Sequence, residues 1–167
     1  VAVPSLVTAF TVAASLEYGA RQQGGTGLFA WWGKLPHFDK SRWLFPYLFV
    51  GLVIFILGGL TGIVNASYGM AALVHNTSWI PAHFHLTVAG PVFLGILGMS
   101  LYLTLGLLGK QCAAPRAAVA VPYLWLVGTF TFSSGLFYGG LRGVPRRTNL
   151  GMSYLDPLSE AYRPDWV

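Results

Sequence analysis

Apolar residues run along this chain in four long blocks, at about 1–20, 44–65, 78–109 and 117–141, separated by shorter polar stretches. An α-helix rises ~1.5 Å per residue, so ~20 residues cover a ~30 Å hydrocarbon layer, and each block is long enough to cross a bilayer. The connections set the topology. Residues 17–42 carry Arg21, Lys34, Lys40 and Arg42, and residues 110–116 are short and basic, so both belong on the inner side. Residues 65–78 contain no Lys or Arg and are expected outside. Trp31, Trp32 and Trp43 fall where an aromatic belt meets the headgroups. The pattern predicts an all-α, polytopic membrane bundle of four transmembrane helices, a single membrane-domain unit over 1–167 with an outer tail at 142–167. A chain that opens inside one span and stops after an outer tail reads as part of a larger subunit.

Within the blocks, particular residues predict particular contacts. Asn76, Thr77 and Ser78 can each cap the third helix, Pro81 is tolerated in its first turn, and Pro91 after Gly90 predicts a kink deeper in. Gly58, Gly59 and Gly62 let a neighbouring helix, or a flat cofactor, approach the second helix closely. Ser5, Thr8 and Thr11 stand three residues apart in the first block, with a rise of ~4.5 Å per step, on a broad stripe of one face. Hydroxyls in membrane helices commonly donate back to the carbonyl of the preceding turn. A ladder passing protons through intervening waters is the functional alternative, and the spacing alone favours the first.

Composition agrees with the pattern. Hydrophobic residues make up 54% of the chain and charged ones 9%, and the mean hydropathy is +0.60, which excludes an ordinary soluble domain. The net charge of +5 is scattered through loops and forms no stripe, so it argues for membrane topology and anionic ligand groups and against nucleic acid. Cys112 stands alone, which rules out a disulfide within the chain and a thiolate cluster. One loop breaks the charge rule. Residues 141–147 fall outside by alternation, yet carry Arg142, Arg146 and Arg147. Guanidinium groups clamp carboxylates bidentately, so Arg146 and Arg147 are read as meeting buried anions; a shifted topology or a solvated loop are the alternatives.

His83 and His85 carry the chemistry. Both stand near the outer end of the third block. Helical residues advance by about 100° each, so two positions apart they point about 200° from one another, and one helix can offer a ligand to two partners. Imidazole is a common ligand for haem iron, and an ionisable ring inside a membrane span is a functional-site hypothesis by default. A single buried His is more often a hydrogen-bonded core residue, but a pair in this setting favours ligation.

The stretch His75-Asn76-Thr77-Ser78-Trp79-Ile80-Pro81-Ala82-His83-Phe84-His85 closely resembles the tenth-helix signature of haem-copper oxygen reductases, in their catalytic subunit I. Val3-Pro4-Ser5, Ala13-Ala14-Ser15-Leu16-Glu17-Tyr18 and Val144-Pro145-Arg146-Arg147 look like the B-family, or ba3-type, cytochrome c oxidases. The resemblance is collinear over nearly the whole chain. It implies that the four spans are similar to helices eight to eleven of a twelve-helix core, the remainder of subunit I lying outside this chain. It also implies two haems. His83 matches the axial ligand of the high-spin haem iron, and His85 one of the two axial ligands of the low-spin haem iron, the other coming from helix two. Phe84 would pack near both macrocycles, Arg146 and Arg147 would bind haem propionates, and His75 and Asn76 match a propionate and water cluster. Ser5, Thr8 and Thr11 match the proton channel of helix eight, which raises the ladder reading above back-bonding. The active-site copper would be bound by three histidines outside this chain, since His37 falls on the inner side and His75 at the outer surface. Two departures stand out. Ala71 occupies a position where many relatives have an Asp beside a propionate, and Asn76 replaces an Asp that helps bind magnesium in the A-family.

The function so implied is that of the catalytic subunit of a terminal respiratory oxidase, in the plasma membrane of a bacterium or archaeon. It would reduce dioxygen to water with electrons from cytochrome c, delivered through a copper-bearing subunit II and coupled to proton uptake and pumping. Membrane lipid would surround it, and no nucleic acid is implied. Nitric oxide reduction by a relative with iron in place of copper uses the same His-x-His helix. A non-catalytic haem-binding electron carrier is a third reading. Upstream sequence separates them: an oxidase needs a His-His pair, a further His and a nearby Tyr, a reductase tends to add glutamates, and a carrier has neither.

Overall fold

The computed structural model describes residues 2–146, 156–158 and 162–164, and among these it is all-helical, with no strand beyond one isolated bridge. Helix α1 is Ala2–Gln22, and a short α2, Ala30–Lys34, and a 3-10 turn, Lys40–Arg42, lead to α3, Phe45–Ala66. A short α4, Tyr68–Val74, precedes a continuous helical rod made of α5, Trp79–Phe84, a π-helical turn, His85–Ala89, and α6, Gly90–Leu107. Helix α7 is Pro115–Leu141. The chain is a membrane protein. Three helical stretches are long and apolar enough to cross a bilayer: Phe45–Ala66, Trp79–Leu107 and Pro115–Leu141. Four were expected. Helix α1 has 21 residues, but Thr8, Thr11, Ser15 and Glu17 dilute its apolar content, and it is not among the three.

Helix α3 is the centre of the bundle. Tyr47, Val50 and Ile54 recur at helical spacing on its buried face and form one core with Phe49, Leu86 and Leu94. Glycine sets the closest approaches. A Cβ at Gly58 would lie 2.7 Å from Thr87 Cγ2 and 2.8 Å from the backbone of the π turn, and one at Gly98 would lie 2.8 Å from the Tyr47 side chain. Of the three glycines expected to admit a neighbour, Gly58 and Gly62 do so, Gly62 facing the His83 ring, whereas Gly59 meets nothing among the described residues.

Before Pro91, where a kink was expected, the helix takes a π turn. Pro91 has no N–H for the Thr87 carbonyl, and the backbone widens so that the Gly90 N–H reaches back to the His85 carbonyl. Gly90 suits that turn because a Cβ there would lie 2.9 Å from both the His85 oxygen and Ile54 Cγ2. Of the three candidate caps, Thr77 is the one whose hydroxyl accepts from the first turn, taking the Trp79 N–H at 3.3 Å; the Ser78 hydroxyl donates instead to the Leu136 carbonyl of α7 at 2.8 Å.

The two ends of the bundle are tied separately. On the side expected to face inward, His37 sits among Trp32, Phe45 and Phe49 and meets the Tyr123 hydroxyl of α7 at 3.3 Å. Burial among those rings lowers the His37 pKa from its ordinary value. At the opposite end, residues 76–78 pair with 144–146: the Ser78 N–H donates to the Val144 carbonyl at 2.7 Å and the Arg146 N–H to the Asn76 carbonyl at 2.9 Å.

Candidate haem-ligand site

The rod 79–107 starts at the end expected to face outward, with Trp79 anchored on both sides. Its indole N–H donates to Asn65 Oδ1 of α3 at 2.9 Å, and its ring meets Phe137 of α7 with centroids 4.5 Å apart. Gly140 permits this, because a Cβ there would collide with the Trp79 backbone. One turn further in, His83 and His85 face different neighbours, as two residues about 200° apart must.

His83 faces α3. Its Nδ1 lies 2.8 Å from the Thr61 hydroxyl, which lies 2.6 Å from the Gly58 carbonyl. A carbonyl only accepts, so the Thr61 O–H is spent on Gly58 and its oxygen must receive the His83 Nδ1–H. His85 faces α7. Its Nδ1 lies 2.6 Å from the Pro81 carbonyl, which again forces Nδ1 to donate, and its ring packs edge-on against Phe132 at 4.9 Å. Both rings are therefore held as the Nδ1–H tautomer. Neither Nε2 has a hydrogen-bond partner among the described residues, so each presents its lone pair on a separate side of one helix. An imidazole whose other nitrogen is fixed by a hydrogen bond is the form that ligates iron.

Beside His85 an apolar groove of about 460 Å³ opens between the rod and α7, with Leu124, Trp125, Gly128, Thr129 and Phe132 along its far wall. Trp125 stacks on Phe93 at 4.2 Å. Phe84, between the two histidines, lies 5.6 Å from the His83 ring and is 53% exposed, turned out of the described bundle.

The other candidate residues divide. His75, Asn76 and Arg146 are brought to one rim: His75 ends α4, Asn76 adopts a left-handed backbone with φ of 60°, and its carbonyl holds the Arg146 amide. All three side chains are exposed. Arg147 lies outside the described residues. In α1 the Thr8 hydroxyl donates to the Pro4 carbonyl at 3.0 Å and the Thr11 hydroxyl to the Val7 carbonyl at 2.8 Å, the back-bonding geometry. Ser15, one turn on, bonds to the Thr11 carbonyl at 2.8 Å and continues the series. The Ser5 side chain is outside the described part.

Thr61 and the α7 wall were not singled out in the sequence. Thr61 lies between Gly58 and Gly62 on the glycine-marked face of α3, and the wall residues recur three and four apart around Gly128, so both had a periodic signal.

The profile of the family described as cytochrome c and quinol oxidase polypeptide I matches residues 1–164. A cytochrome c oxidase subunit 1 of Thermus thermophilus is 47% identical over 164 residues, which are 97% of this chain and 28% of that protein. A shorter sequence of the same name and organism is 42% identical over 104 residues, covering 61% of this chain and 94% of that sequence. A ubiquinol oxidase subunit 1 of Acetobacter aceti is 34% identical over 107 residues, 62% of this chain and 16% of the relative. The chain thus spans about a quarter of the first of these relatives. With a match over almost its entire length, it belongs to the cytochrome c and quinol oxidase polypeptide I family.

Proposed function

We propose that this chain is the haem-ligand-bearing part of the catalytic subunit of a haem-copper terminal oxidase that reduces dioxygen to water, with cytochrome c as donor. The observation that carries the reading is the pair of Nδ1-anchored imidazoles on one rod, His83 turned to α3 and His85 to α7, each with its Nε2 lone pair unused. Two haems fit this donor set, with His83 holding the iron of the high-spin haem and His85 that of the low-spin haem. When bound, the haems supply electron relay and oxygen binding. The chain's residues orient and surround them. Thr61 fixes the plane and tautomer of His83, Pro81 those of His85, and Phe132 with Gly128 leaves flat apolar space beside His85. Arg146, with Arg147, His75 and Asn76, would meet the propionates at the outer rim, where the Asn76–Arg146 hydrogen bond already joins the two loops.

The active-site copper would be held by residues of subunit I beyond this chain. Subunit II, cytochrome c and the plasma membrane of a bacterium or archaeon complete the reading, as does a proton path along Ser5, Thr8 and Thr11. The Asp-free outer rim at Ala71 and the Asn at 76 make neither a second carboxylate nor a magnesium site part of it. The test is made on the full-length enzyme. His83→Ala should remove the ligand-binding haem signal and keep bis-imidazole absorbance, and His85→Ala should do the reverse. Indistinguishable spectra for the two variants would show that the assignment is wrong.

A further inference from the structure

On the inner side, away from the histidines, two separate loops converge on one groove. It measures about 610 Å³, within the ~300–1,000 Å³ of ordinary ligand clefts, and is bounded by the 3-10 turn, the last two turns of α6 and the loop into α7. Lys40 comes from the first loop and Lys110 from the second, and both line the groove. Neither pairs with a carboxylate among the described residues. The nearby Asp39 is already engaged: it accepts from the Ser41 N–H at 2.8 Å and the Ser41 hydroxyl at 2.6 Å, and lies 3.8 Å from Arg42. Trp43, Tyr102 and Leu103 supply apolar lining, with the rings of Trp43 and Tyr102 6.5 Å apart. Gly106 leaves a notch in it, since a Cβ there would meet nothing within 4 Å.

A groove lined by two ammonium groups with no carboxylate partner among the described residues, an amphipathic aromatic pair and apolar residues of a membrane helix suits an amphiphile with an anionic head. We propose that this groove binds one anionic phospholipid of the inner leaflet, its phosphate between Lys40 and Lys110 and an acyl chain along Tyr102, Leu103 and Gly106. The charge complementarity is what selects the occupant. A zwitterionic lipid would bring its own cation to the lysines, and free phosphate would leave the apolar lining uncovered. A basic side chain near an anionic membrane surface contributes about fivefold in affinity, so the two lysines together account for ~25-fold.

The experiment uses the full-length enzyme, delipidated in mild detergent and titrated with phosphatidylglycerol while native mass spectrometry counts bound lipid. One phosphatidylglycerol per enzyme should be retained tightly. Lys40→Gln with Lys110→Gln should raise the half-saturating lipid concentration ~25-fold, and Lys40→Arg with Lys110→Arg should restore it. Gly106→Leu fills the notch with both charges intact, and should also lose that lipid. Haem content should be unchanged in every variant. Equal retention of phosphatidylcholine, displacement by millimolar inorganic phosphate alone, or a lipid count unaffected by either the glutamine pair or Gly106→Leu would each overturn the proposal.

Discussion

Adding one methyl group at Gly58 should loosen the His83 anchor. An ideal Cβ there would lie 2.7 Å from Thr87 Cγ2 and 2.8 Å from the Leu86 carbonyl carbon and the Thr87 nitrogen. Carbon atoms rest at ~3.5–4.0 Å, so α3 and the π turn must separate by about 1 Å. Two of the three obstructing atoms are backbone, which cannot rotate away. The same displacement carries Thr61, one turn along α3, from 2.8 Å to beyond hydrogen-bonding range of His83 Nδ1. Overpacking costs about 1–3 kcal/mol and the lost hydrogen bond ~1 kcal/mol, while replacing Gly by Ala inside a helix returns up to ~1 kcal/mol. The net expectation for Gly58→Ala is a loss of about 1–3 kcal/mol, seen as a lower melting temperature of the full-length enzyme. The iron–imidazole stretching band of the high-spin haem proposed on His83 should shift with it, because His83 loses the partner of its Nδ1–H. An unchanged melt and an unchanged band together would refute the reasoning, since they would mean that α3 and the π turn are not in contact at Gly58.

Thr61→Val should shift the same band with a smaller loss of stability, and Thr61→Ser should restore it; Raman spectra of the two variants decide. Gly128→Leu places a side chain where nothing lies within 4 Å, so it should fill the groove beside His85 and lower low-spin haem content without unfolding the protein, as read by pyridine haemochrome analysis. Thr8→Val should slow turnover at unchanged haem content; wild-type turnover under saturating donor would mean that the hydroxyls serve only their own helix, as the Thr8–Pro4 hydrogen bond alone would have it. His37 is held below its ordinary pKa of 6.5 by burial, so the unfolded chain binds the proton more readily. Its neutral form therefore supports the inner loop fully above pH ~6.5, and that support falls as pH drops towards the folded pKa. Hydrogen exchange at residues 36–43, corrected for intrinsic rates, should accelerate over that window in the wild type and not in His37→Phe.

The spacing of residues made some of this site readable in advance and left other parts hidden, for reasons that differ by residue. His83 and His85 declared themselves because an α-helix turns two-residue spacing into opposite directions, and that relation needs no tertiary information. The three apolar helices were equally plain, because hydrocarbon thickness fixes their length. Helix α1 was less so: its hydroxyls and Glu17 place it near the boundary where length and apolarity stop agreeing. Which hydroxyl would matter was not readable at all. Thr61 and Thr8 are both threonines in apolar helices that bond to a carbonyl of their own helix, yet Thr61 alone is carried against an imidazole, by the contact at Gly58. That contact joins residues far apart in sequence, and nothing local to either helix specifies it. The choice among the three candidate caps was equally hidden: Thr77 receives the Trp79 N–H, while α7 offers the Ser78 hydroxyl the Leu136 carbonyl at 2.8 Å, a partner fixed by tertiary packing.

Pro91 connects these two kinds of information. The sequence announces that the Thr87 carbonyl loses its α-helical donor, but not which way the helix will accommodate the loss. The π turn accommodates the lost donor within five residues. Its extra backbone atoms bring the His85 carbonyl to the Gly90 N–H, and they fit because position 90 has no side chain and Ile54 of α3 closes over it. The turn begins at His85 itself, so the backbone between the two imidazoles stays α-helical and their opposed directions survive, with φ and ψ of Phe84 at −66° and −32°. What the π turn changes is the register of everything after it: Leu94 and Gly98 are rotated relative to an unbroken helix and come to rest on the α3 core and on Tyr47. The proline thus lets one rod satisfy two demands that a uniform α-helix would couple, the direction of the imidazole pair at one end and the packing face against α3 at the other.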